Sequence, residues 1–236
     1  MNLVSRVKAL IDILDPREIN FMLLIAKELE RSNLDLPVLY AGSGGDVEHA
    51  VILGDRLVFV DSHLPETTLS EIRNNIRRIG GKIVEEKRVG ELGKGGKYII
   101  KFEFQDEVEL IYYAEDAMRL FESPPRELKN GCSVYFVKVP LPKEPNVSSL
   151  TSPKSLSKAL KLISVGGYFL ERECPLCRVI KPEMLGFKKV ASGYISALSV
   201  HNAEGNLYKK VREVENLEDL LKLDFMIYSL GARCKL

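Results

Sequence analysis

Between Val38 and Asp46 the chain reads Val-Leu-Tyr-Ala-Gly-Ser-Gly-Gly-Asp. An apolar run short enough for a buried strand meets a cluster of glycines and then a residue that caps helices. Glycine in such a loop lets backbone N–H groups approach a ligand closely, and the start of the following helix favours an anionic or polar group. Asp61 lies nineteen residues beyond Gly42, at the end of the next apolar run, Leu57 to Val60. A carboxylate in that place can accept both hydroxyl hydrogens of a ribose. Loop and spaced acid together point to nucleoside binding. The alternative is a tight strand–helix turn and an acid at a strand end that bind nothing. A dinucleotide fingerprint wants a third glycine at position 47, where Val47 stands, and this counts against a nicotinamide enzyme.

Other groups carry weaker signals. Ser62 and His63 follow Asp61 and would border the same pocket, although an exposed loop histidine is the plainer reading of His63. His49, on the helix after the glycines, and His201 read as structural or solvated. Cys174-Pro175-Leu176-Cys177 has the spacing of half a zinc site, but a second pair is missing because Cys132 and Cys234 stand alone. No metal site is therefore expected, and a reduced pair or a local disulfide are the readings left.

These residues need a frame. Leu3, Val4, Val7, Leu10, Ile11 and Leu14 recur at helical spacing, and Asp15-Pro16-Arg17-Glu18 restarts a second helix, with Asp15 as cap and Glu18 completing a capping box. Residues 1–34 are thus a helical extension ahead of a main domain, 35–236. From Leu36 strands and helices alternate, the mark of a parallel sheet covered on both faces. Pro65 to Ile79 reads as a helix ended by Gly80 and Gly81. Tyr98–Phe104 and Val108–Tyr113 form a hairpin about Gln105-Asp106-Glu107, and Met118–Leu128 a helix broken at Pro124-Pro125. Ser133–Val139 is a central strand and Pro140–Pro153 a loop beside the cleft. Ser155–Ser164 is a helix, Gly167–Leu170 a strand, Tyr194–Val200 and Leu207–Val211 a second hairpin, and Leu217–Leu223 a last helix.

This order of elements resembles the class I S-adenosylmethionine-dependent methyltransferases, over most of residues 36 to 211. Beyond the glycine loop, Glu115-Asp116-Ala117 is similar to the family's strand ending in Gly-Asp-Ala. Ser133 to Pro140 sits where its fourth strand leads into the catalytic loop. Leu160 to Leu170 looks like its helix, Gly-Gly turn and fifth strand, and Leu185 to Val190 like the Gly-Phe segment before its terminal hairpin. The resemblance implies a Rossmann-like three-layer αβα sandwich, with a mostly parallel seven-stranded sheet closed by a terminal antiparallel hairpin. It implies S-adenosylmethionine as cofactor, with Gly42, Ser43, Gly44 and Gly45 at its methionine end, Asp61 on the ribose, and Asp116 with Ala117 around the adenine. Two positions depart from the pattern: Tyr40 replaces an acid two residues before the first glycine, and Asp46 replaces the third glycine. Asp46 either supplies the missing contact across the loop or only caps a helix. Lys138-Val139-Pro140-Leu141-Pro142 lacks the acid that many amine methyltransferases carry there, so no general base can be named.

Composition narrows the field. Net charge is +1, and no Lys/Arg block marks a nucleic-acid footprint. No apolar run approaches the ~20 residues that span a bilayer, and the first fourteen residues read as an amphipathic helix rather than a signal peptide, so a cytoplasmic location is expected. The single Gln105 among many opposite charges suggests a thermophile. Two functions from different classes remain. One is an S-adenosylmethionine-dependent methyltransferase with an unidentified methyl acceptor; the other is a non-catalytic nucleoside-binding or scaffold protein that keeps the fold. The N-terminal helices have three uses open to them: substrate cover, a homodimer surface, or packing against the sheet.

Overall fold

A computed structural model describes residues 2–32, 34–62, 64–138, 150, 152–172, 179–196 and 204–233. His63, His201, Cys174, Cys177, Cys234 and most of the Pro140–Pro153 loop lie outside them.

The chain opens with helices α1 (Leu3–Ala9) and α2 (Ile19–Ser32). The capping box is half realised: the Glu18 carboxylate accepts from the Asp15 backbone N–H at 2.9 Å, and regular helix begins at Ile19. The parallel core follows, with β1 (Val38–Ala41), α3 (Val47–Leu53), β2 (Arg56–Val60) and α4 (Pro65–Arg78). Next come β3 (Lys82–Val89), β4 (Lys97–Phe104) and β5 (Asp106–Tyr113), then α5 (Ala117–Glu122), β6 (Cys132–Lys138), α6 (Pro153–Leu162) and β7 (Ile163–Arg172). The chain ends in β8 (Phe187–Tyr194), β9 (Glu204–Lys210) and α7 (Leu217–Arg233).

The described strands form one sheet of order β3-β4-β5-β2-β1-β6-β7-β9-β8. β5, β2, β1, β6 and β7 are mutually parallel, while β9 runs antiparallel between β7 and β8. The seven strands that the resemblance implies are therefore nine. The two additional strands are β3 and β4, which extend the sheet beyond β5 as antiparallel partners. Nearly all of β3 is exposed, which suits an edge strand rich in Lys, Glu and Arg. Without these two, seven strands remain, of which β9 alone is reversed.

Three boundaries also differ from expectation. The first hairpin turns more tightly than Gln105-Asp106-Glu107, because Phe104 already pairs with Asp106 and Gln105 takes a left-handed φ of 63°. The arm that pairs with β9 is Phe187–Tyr194, which with Lys188 and Lys189 exposed does not read as an apolar run; residues 197–200 of the expected arm Tyr194–Val200 lie outside the described residues. The last helix runs to Arg233 rather than Leu223.

Two apolar clusters flank the sheet. One joins α1, α2, α3 and α4 to the inward residues Val38, Tyr40, Phe59 and Phe136. The other joins α5, α6 and α7 to Leu39, Val58, Tyr135 and Phe169. This is a three-layer αβα sandwich. α2 lies close on the terminal hairpin, since a Cβ on Gly193 or on Gly205 would meet Phe21 at 2.6 and 2.9 Å. The connections after β1 and β6 run to opposite sides, so the order reverses between these two strands. Ligands of open α/β sheets bind at such a reversal, outside the carboxyl ends of the strands.

Candidate functional site

The parallel strands all point one way, so their last residues share one edge. Ala41 of β1 leads into the glycine loop, whose first residue Gly42 has φ +65° and donates its N–H to Val60 O at 2.9 Å. The neighbouring strand end repeats the pattern, with Asp61 N–H donating to Tyr113 O at 3.1 Å. These bonds bring the loop and Asp61 side by side. The Asp61 carboxylate accepts from the Gly44 N–H at 2.8 Å, so the two strongest candidates of the sequence meet directly.

Each loop residue has a structural cause. Gly45 allows α4 to come close: a Cβ there would stand 2.6 Å from Glu71 Cβ, and Asn75 donates to Gly45 O at 2.5 Å. A Cβ on Gly44, by contrast, would meet nothing within 4 Å, so the loop is open on that side. The Ser43 hydroxyl is buried and has no hydrogen-bond partner among the described residues. Above Gly42 lies the side chain of Leu150, 3.2 Å from where a Cβ would be.

Asp46 caps α3 through a 3.4 Å bond from His49 N–H. Its carboxylate also receives the Tyr40 hydroxyl at 2.6 Å and faces His49 Nδ1 at 2.7 Å. Asp46 is thus a helix cap whose carboxylate also receives Tyr40. Burial and then the Asp46 charge push the Tyr40 hydroxyl well above its ordinary range, so it stays protonated and donates. Asp46, Glu48 and His49 bring ligand-type atoms within 4.8 Å of one another. Asp46 and His49 share the bonds just given, and Glu48 Oε1 pairs with Arg78 at 2.6 Å, while Glu48 Oε2 is buried without a hydrogen-bond partner among the described residues.

Farther along the edge, Asp116 is exposed and caps α5, accepting from Met118 N–H at 2.8 Å, while Ala117 is buried at the start of that helix. Glu115 beside it is half-buried; burial raises its carboxyl, with Arg119 opposing and Asp116 adding to the rise. Ser62 is exposed next to Asp61.

Several residues here carried no readable signal. Glu171 and Arg172, both buried, end β7 on the same edge. Glu171 accepts from the Tyr208 hydroxyl at 3.2 Å, and Arg172 Nε donates to Ile195 O at 3.1 Å. Asn75 and Leu150 come to the loop from distant elements. An acid and a base at the end of the apolar run Tyr168-Phe169-Leu170 were the only available hint.

No protein-family model and no curated protein matches the sequence. Solved structures do resemble it. A protein of Streptococcus mutans assigned to the methyltransferases, in complex with SAH, superposes with a TM-score of 0.50 at 11% identity, covering 83% of this chain and 98% of that one. The N-methyltransferase NodS of Bradyrhizobium japonicum gives 0.49 at 11% identity, with coverage of 84% and 98%. An rRNA methylase of Streptococcus thermophilus gives 0.48 at 12%, with coverage of 79% and 94%. Likeness at this identity is a matter of fold. The fold is the Rossmann-like one of the class I S-adenosylmethionine-dependent methyltransferases, in a divergent form.

Proposed function

We propose that the chain binds an adenosyl ligand between the glycine loop and Asp61, and that it is an S-adenosylmethionine-dependent methyltransferase. The observation that carries this is the 2.8 Å bond from Gly44 N–H to the Asp61 carboxylate, which joins the loop at the end of β1 to the acid at the end of β2. The residues present fit such a group. The unpartnered Ser43 hydroxyl and the open space at Gly44 both belong to the loop that would cradle it. When bound, S-adenosylmethionine supplies an electrophilic methyl group on a sulfonium.

The chain's own task is to orient and to exclude water. The Gly42–Gly45 backbone would take the methionine end, Asp61 the ribose hydroxyls, with Ser62, His63, Asp116 and Ala117 on the adenine side. Positioning alone can supply much of the rate of an in-line transfer, so the lack of a nameable general base is compatible with this reading. The methyl acceptor is not identified by the residues at the edge. A cytoplasmic location and a thermophilic source belong to the same proposal. The ion pairs Arg73–Glu86, Arg78–Glu48 and Lys101–Glu85 suit the latter.

A second reading, a non-catalytic binder on the same fold, is favoured by one observation. The Asp46 carboxylate is already engaged by Tyr40 and His49, and Tyr40 stands where the family keeps an acid. Calorimetric titration with S-adenosylmethionine and S-adenosylhomocysteine, with NAD as control, tests both. Binding of the adenosyl ligands alone supports the site, and methyl transfer to a substrate pool then separates enzyme from binder. No binding of either adenosyl ligand would reject the proposal.

A further inference from the structure

A chain of buried polar groups runs from the N-terminal helices to the glycine loop, through residues far apart in sequence. Glu18, 1% exposed, sits just ahead of α2 and gathers four donors on its two oxygens. They are the Asp15 N–H at 2.9 Å, the Ser196 N–H at 2.7 Å, the Ser196 hydroxyl at 3.0 Å, and His49 Nε2 at 3.1 Å. Burial pushes the Glu18 carboxyl up, but the bonds and charge of His49, with Ser196, outweigh it and hold the group below the usual carboxylate range. The other nitrogen of His49 faces Asp46, which in turn receives Tyr40. Each ring nitrogen of His49 therefore faces a carboxylate.

The geometry points to Glu18 and His49 as positioning residues for the glycine loop, which makes the N-terminal helices a working part of the adenosyl site. This rests on the ligand reading above only in its last step. Asp46 fixes the loop from within, because its own N–H donates to Ser43 O at 3.1 Å and the next residue's to Gly45 O at 2.9 Å. Whatever holds Asp46 therefore holds the turn that aims the Gly44 amide. The grip is two-ended: Arg6 of α1, fully buried, donates to Val51 O and Gly54 O, both at 2.9 Å, at the far end of α3. The N-terminal pair thus holds α3 at its tail through Arg6 and at its head through Glu18.

Amide hydrogen exchange of the ligand-free, full-length protein reads this directly. Glu18→Gln and His49→Gln should each speed exchange in residues 42–49 roughly tenfold, with the β4–β5 peptides unchanged. Equal loop protection in all three proteins overturns the proposal, and where one variant does not fold the other decides. Titration with S-adenosylhomocysteine should show affinity lowered roughly tenfold in both variants. If the wild type binds no adenosyl ligand, the functional reading falls, and the exchange result still decides the clamp.

Discussion

Replacing Asp61 by alanine removes an acceptor from the loop and, on the reading above, the ribose anchor, and the two losses separate by size. Gly44 is only half-buried, so water can take up its N–H once the 2.8 Å bond is gone. The cost in stability is then about 1 kcal/mol, the modest end for a hydrogen bond. The ligand loses more. Two ribose hydroxyls donating to one carboxylate are charge-assisted bonds of about 1.5–3 kcal/mol each before competition with water. A net loss of about 3 kcal/mol is roughly a hundredfold in affinity. Asp61→Asn keeps an acceptor for Gly44 and loses one for the ribose, so roughly tenfold is expected on the same scale. Calorimetric titration of the three proteins with S-adenosylhomocysteine and its 2′-deoxy analogue checks the ranking. The wild type should prefer the ligand with the hydroxyl, and Asp61→Ala should be indifferent to it. Affinity for the full ligand surviving Asp61→Ala within about threefold would refute the placement of the ribose.

Arg6→Ala should destabilise by about 3 kcal/mol or more, because two carbonyls at the end of α3 lose a charged donor and a void opens. Arg6→Met, which fills the space and removes a charge that burial disfavours, should cost less; urea unfolding separates them. Gly193→Ala places a Cβ 2.6 Å from both Cβ and Cγ of Phe21 and should cost about 1–3 kcal/mol, as read from melting temperatures. Burial pushes the Cys132 thiol up to about 12, so it should resist alkylation at neutral and mildly alkaline pH and label only with global unfolding, as peptide mass spectrometry would show. Tyr40→Asp alone brings two buried carboxylates together, and Asp46→Gly alone strips Tyr40 and His49 of a partner. Each should destabilise by about 2 kcal/mol or more, and the double variant should cost less than their sum in a double-mutant cycle.

What the sequence makes legible is set by how completely an element is buried. β1 and β2 are short apolar runs closed by glycine or aspartate and buried almost throughout, so their order and the loop between them can be read directly. The β4 arm of the hairpin alternates because one face of it meets the core, while Leu110–Tyr113 of β5 is buried on both faces. β8 is an edge strand in water, and the charges that keep it soluble hide it. The tail of α7 is hidden for another reason: Phe225, Met226, Ile227 and Tyr228 are consecutive and all exposed, so no helical stripe marks them. At the site, glycines and Asp61 are legible because spacing along one βαβ unit fixes them. Glu18 and His49 are 31 positions apart and meet only through packing of α2 against α3, which no local pattern encodes.

The two positions that depart from the pattern the sequence resembles meet in the fold. The Tyr40 hydroxyl reaches the Asp46 carboxylate at 2.6 Å. The placing of that acid has a structural consequence. Asp46 lies at the head of α3, where it caps the helix and faces a histidine one turn on, and that histidine faces Glu18 just ahead of α2. A glycine at 46 could do none of this. Tyr40 and Asp46 thus connect the glycine loop, through His49, to the N-terminal helices.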